Sequence, residues 1–128
     1  MNQEIKKLWL AELRNPERKQ AQKRLNNGEG MCCLGVLCDI VKDYPEVQGS
    51  WVLDSVMKPQ FSCLSWNAPN QPNEKAVGHL PLAVKNLADL EGRFGEYDGK
   101  YDGKQSLANL NDEGITFAEI ANVIEREF

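Results

Sequence analysis

The chain has one histidine. That scarcity rules out histidine-rich metal cages and leaves a cysteine nucleophile a single base to work with. No apolar run approaches the roughly 20 residues that span a bilayer. The chain opens on a charged, helix-periodic segment rather than a basic stub and an apolar block, so no secretory leader is read there. A cytosolic protein with reduced thiols is the expectation. The net charge of −4 lacks the basic excess of a nucleic-acid coat protein. Also missing are a glycine-rich phosphate loop, a Ser-His-Asp order and a metalloprotease motif, so no cofactor is read from the sequence.

What is present suits a single domain. With 128 residues, 41% hydrophobic and 27% charged, the chain is long enough to bury a core without staples. The charge is uneven. Residues 1–27 hold seven bases against three acids, and residues 89–128 hold four bases against ten acids. The basic end suits a phosphate-bearing ligand or an acidic partner; the plainer reading is a solvated face balancing the acidic end.

Three of the four cysteines lie in Met31-Cys32-Cys33-Leu34-Gly35-Val36-Leu37-Cys38-Asp39-Ile40-Val41. Their apolar surroundings read as buried small hydrophobes. Cys33 to Asp43 has helical periodicity, with Cys33, Leu34, Leu37, Cys38 and Val41 on one stripe. Gly35 inside it costs about 1 kcal/mol against alanine, which implies close packing on another element.

Residues 3–14 form an amphipathic helix anchored by Trp9 and ended by Asn15-Pro16. Asn26-Asn27-Gly28-Glu29-Gly30 is a turn, the tip of a hairpin returning through Met31 and Cys32. Trp51-Val52-Leu53 and Phe61 to Trp66 read as short strands, and Asn67 to Glu74 as a loop. Pro81 opens a helix that Gly92 stops. Tyr97-Asp98-Gly99-Lys100 repeats as Tyr101-Asp102-Gly103-Lys104, an exposed double turn. Leu107 to Asn111 is a short helix broken by Gly114. Thr116 with Glu119 makes a capping box, and Ile115 with Ile120 a hydrophobic staple. The expected fold is a small α+β domain of residues 1–128, three or four helices on a short, mostly antiparallel sheet. Its core should hold Trp9, Cys33, Leu34, Leu37, Cys38, Val84, Leu87, Phe117, Ile120 and Ile124.

Several pieces are distinctive together: Trp9-Leu10-Ala11-Glu12-Leu13-Arg14, Lys19-Gln20 with Arg24-Leu25, the Cys32 to Asp39 segment, Leu80-Pro81, Leu107-Ala108-Asn109-Leu110-Asn111-Asp112 with Gly114, and Thr116-Phe117-Ala118-Glu119-Ile120-Ala121. In these the chain resembles a family of small proteins common in phage and prophage genomes. The resemblance implies a phage setting and action in the host cytosol, not a reaction, and association points to host defence or regulation.

The residues offer four chemistries. Zinc has Cys33, Cys38, Cys63 and His79 to draw on, but Cys-x4-Cys in an apolar helix lacks a second paired knuckle. A nucleophile at Cys33 lacks a neighbouring base, and Asp112 beside Glu113 reads better as a turn former than as an acid catalyst. Residues 107–127 have a helix-turn-helix outline, but the second helix offers Glu119, Asn122, Glu125, Arg126 and Glu127, a surface hostile to phosphates. The fourth is a polar-ligand or partner site near the first hairpin. Arg14, Lys19, Gln20 and Arg24 gather cations and an amide suited to bidentate contacts. Asn111 and Asp112 join them if the fold brings the two ends together. The expected protein is therefore a non-enzymatic binder of a host protein or a small phosphorylated ligand, with self-association left open.

Overall fold

A computed structural model describes residues 1–53, 64–67, 78–99 and 103–128. The chain folds as a small α+β unit, with five helices among these residues. They are α1 (Gln3–Leu13), α2 (Cys33–Val41), α3 (Leu82–Ala88), α4 (Leu107–Asp112) and α5 (Phe117–Glu127). Two antiparallel hairpins flank them. Strand β1 (Ser50–Leu53) pairs with β2 (Leu64–Asn67), Ser50 opposite Asn67. Strand β3 (Glu96–Gly99) pairs with β4 (Gly103–Ser106), Glu96 opposite Ser106.

Helix α2 is central because its sequence is apolar all round. Cys33, Leu34, Gly35, Val36, Leu37, Cys38 and Val41 are all buried. Helix α1 packs on α2 and α5, and α4 packs on α2 and α5. Trp9 is fully buried, and its indole Nε1 donates to the Cys33 carbonyl at 2.9 Å, fixing α1 against the first turn of α2. Every expected core residue is buried except Leu87, which packs against the core while partly exposed. Gly35 is needed because a Cβ there would land on the Leu25 carbonyl.

Local signals at the ends hold. Asn2 caps α1 through Glu4 and Ile5 N–H, and Thr116 Oγ1 accepts from Glu119 N–H at 3.3 Å. Gly114 adopts φ +90°, the left-handed turn before α5. Three readings change. Helix α3 stops at Asp89 in the left-handed conformation, not at Gly92, and Pro81 stands as its N-cap. In the Tyr-Asp-Gly-Lys repeat, Tyr97 to Gly99 lie in β3 and Gly103 and Lys104 in β4, with Asp98 opposite Lys104, so these residues are strand rather than turn, while Lys100, Tyr101 and Asp102 lie outside the described residues. The first hairpin shrinks to isolated bridges from Met31 to Gln20 and Asn26, since Lys23 turns left-handed and interrupts the outgoing strand. The expected strand residues Phe61 to Cys63 and nearly all the loop to Glu74 lie outside the described residues.

Candidate functional site

The segment from Glu17 to Met31 joins α1 to α2 and carries half of the expected site, Lys19, Gln20 and Arg24. The fold does bring Asn111 and Asp112 to it. Asn111 is fully buried. Its Oδ1 accepts from Cys33 N–H at 3.1 Å and from Gln20 Nε2 at 2.9 Å, while its Nδ2 donates to the Ala21 carbonyl at 2.7 Å. Gln20 also donates to the Ile115 carbonyl at 2.7 Å and accepts from Phe117 N–H at 3.1 Å, satisfying an orphan donor in the first turn of α5. Asp112 accepts from the Lys23 N–H at 2.7 Å, which holds that residue at φ +68°. These side chains form a clasp that ties one connecting segment to three helices. Their bonded atoms serve one another and the protein's own backbone.

The arginines are similarly engaged. Arg14 bonds Glu125 at 2.8 Å and Asn122 at 3.2 Å on α5. Lys6 Nζ donates to the Glu125 carbonyl at 3.2 Å. The basic and acidic ends of the chain therefore complement each other within the fold. Arg18 bonds Glu12 at 2.8 Å and Asp39 at 2.9 Å. Asp39 also accepts from Trp51 Nε1 at 3.0 Å and Lys42 Nζ at 3.1 Å. Burial alone would raise the Asp39 pKa, but the bonds from Trp51, Lys42 and Arg18 outweigh it and hold the carboxyl below its ordinary value. Arg24 is half-buried and also engaged, while Lys19 is exposed.

Three of the thiols are packed in the core. Cys32, Cys33 and Cys38 are free and buried. Burial pushes the Cys32 thiol up to about 11 and raises Cys33 and Cys38 well above the ordinary range. Thiols held protonated are poor nucleophiles and poor metal ligands. Cys32 Sγ instead accepts from Gly35 N–H at 3.4 Å and caps α2. His79 lies against Phe94, ring centroids 6.0 Å apart. Among the described residues no three His, Cys, Asp or Glu side chains gather as a metal site. Cys63 lies outside the described residues.

What remains open is the tip of the segment. Asn26 Oδ1 accepts from Gly28 N–H at 2.8 Å, and Asn27 Oδ1 accepts from Glu29 N–H at 2.9 Å and Gly30 N–H at 2.8 Å. The asparagines thus consume the amides that would otherwise form an anion nest. A Cβ on Gly30 would stand 2.8 Å from the Lys19 carbonyl, so glycine lets the two arms close. Two clefts of about 400 and 610 Å³ share Lys19 and Gly28 to Gly30. Sequence reasoning missed Asn26 and Asn27 as anything beyond turn formers; the signal was two adjacent asparagines before Gly-x-Gly, a pair able to fix a loop by side-chain bonds.

The chain belongs to the family described as Domain of unknown function (DUF8296). The family model matches residues 1–128. No curated protein and no solved structure matches the chain. Family membership thus spans both the clasp and the cleft-bearing tip. Among the described residues no helix is long and apolar enough to cross a membrane.

Proposed function

We propose that this protein is a non-enzymatic binding module that docks a partner protein on the face formed by residues 17–31. The observation that carries the reading is the tip itself: a loop made rigid by Asn26 and Asn27, projecting exposed Lys19 and Glu29 and bordered by two open clefts. Rigidly held surface loops are where proteins place recognition. Raised thiol pKa values and the engaged carboxamides of Gln20 and Asn111 count against catalysis at those groups.

A protein partner is favoured over a small phosphorylated ligand. The Arg14 and Arg18 guanidiniums are already matched by carboxylates, and Glu17 and Glu29 stand in the same cleft as Lys19. Little concentrated positive field is left for a phosphate. The exposed side of α5, with Glu119, Glu125 and Glu127, counts against reading DNA. In the phage setting implied by the sequence resemblance, the partner is a host protein met in the cytosol, and countering host defence is the role that setting suggests.

The test is a photocrosslinking amino acid at Glu29, with Glu113 as a control position, in bacterial cells. Position 29 should trap a discrete adduct that Lys19→Glu diminishes. Equal trapping from position 113, or none from 29, would remove the docking face.

A further inference from the structure

The smaller of the two clefts is lined in part by Asn26, whose buried carboxamide has a donor that no acceptor among the described residues meets. Asn26 lines it with Glu17, Arg18, Lys19, Glu29 and Met31, and Asn26 is only 6% exposed. Its Oδ1 is identified by the bond it accepts from Gly28 N–H. Its Nδ2 therefore faces the other way, and no acceptor among the described residues meets it. Buried carboxamide donors nearly always have partners, and those that lack one call for a ligand or a water. Here the unmatched group borders a cavity of about 400 Å³, large enough for several atoms of a partner.

The lining decides what kind. Two acids and two bases balance, and Arg18 is already held by Glu12 and Asp39. A net-neutral site suits a carbonyl better than a phosphoryl or carboxylate group. Gly28 and Gly30 bring no side chains to the wall, so a second backbone can approach closely. Met31 adds an adaptable apolar surface, with its sulfur 3.6 Å from the Arg18 guanidinium. We infer that this cleft takes an extended peptide segment of the partner, one main-chain carbonyl accepting from Asn26 Nδ2. The inference rests on the docking face proposed above and names how that face engages its partner.

The probe is a library of unphosphorylated peptides tiling the host's soluble proteins, displayed on yeast and selected on the wild-type protein. Enriched peptides should share a short motif and shift the Asn26 side-chain NH2 resonances in a ¹⁵N-HSQC spectrum. They should bind Asn26→Asp, which keeps the oxygen that accepts from Gly28 but removes the donor, about tenfold more weakly or worse. If that variant fails to fold, the wild-type resonances carry the test, and their failure to move overturns the assignment. Enriched peptides that bind both proteins equally, or no enrichment, also overturn it. So does inorganic phosphate alone shifting the same resonances. A crosslink from Glu29 that persists in Asn26→Asp would keep the docking face and remove the peptide cleft; loss of the wild-type crosslink would remove both.

Discussion

Asn111 and Asn26 are two buried asparagines on neighbouring elements with opposite hydrogen-bond balances. Asn111 has no exposed surface, and its carboxamide makes three bonds, to Cys33, Gln20 and Ala21. Asn26 is almost as buried, yet its carboxamide makes one, to Gly28. Burial of a polar side chain therefore does not tell structure from recognition. The count of satisfied atoms does, because an unmatched buried donor is a standing cost that only an outside acceptor relieves. The same substitution at both sites puts the contrast to an experiment.

Asn111→Asp should be the most damaging single change. An oxygen replaces Nδ2 and faces the Ala21 carbonyl, acceptor against acceptor, while a carboxylate enters a fully buried site. We predict a loss of about 3 kcal/mol or more, read from urea denaturation, since at least one strong bond becomes a repulsion and burial penalises the charge. A loss under about 1 kcal/mol would mean the clasp does not hold the connecting segment, and the contrast with Asn26 would dissolve.

Gly35→Ala probes the backbone that leads from Leu25 into that segment. Alanine favours a helix by about 1 kcal/mol over glycine. Against this, the new methyl falls on the Leu25 carbonyl, backbone that moves only if residues 25 and 26 move with it. The steric effect wins, and a net loss of about 2 kcal/mol is expected from thermal or urea unfolding. A neutral or stabilising result would show that the segment yields freely, which would also deny Asn26 a fixed position.

Asp39 offers a test by pH. Its folded pKa is depressed from 3.8, through bonds from Trp51, Lys42 and Arg18 that outweigh burial. A depressed acid stabilises the fold fully above its unfolded pKa and loses that contribution as pH falls through the folded value. Wild type should therefore exceed Asp39→Asn by about 1 kcal/mol at neutral pH, with the gap closing below about pH 4. A gap that ignores acid would assign the stabilisation to packing rather than to the ion pairs that anchor Arg18 beside the cleft.

The elements legible in the sequence were those whose signals are local. Trp9 and the α2 cysteines announced the core through apolar periodicity, and Thr116 announced its own cap. The end of α3 was not legible. Asp89 takes a left-handed conformation usually given to glycine, so Gly92 was the better sequence guess. The candidate site was half legible. Gln20, Asn111 and Asp112 were singled out together and do meet, but residue type alone does not say whether a carboxamide faces a ligand or the Ala21 carbonyl. The charge asymmetry was real, yet it resolves into contacts such as Arg14 with Glu125, which depend on α1 lying beside α5. Asn26 read only as a turn former because a turn-forming asparagine and one with a spare donor look alike in one dimension.

Asn26→Asp should be the mildest of these changes. The oxygen that accepts from Gly28 N–H is kept, and aspartate is at home in such a turn. The group removed has no partner among the described residues, and Arg18 and Lys19 line the same cleft as the new carboxylate. The relief of an unmatched donor and the cost of partly burying a charge offset each other, leaving a change of about 0.5 kcal/mol or less in urea unfolding. A loss comparable to that of Asn111→Asp would mean Nδ2 is engaged within the fold after all. The two asparagines would then be structural alike, and the cleft would have no claim on a partner's carbonyl.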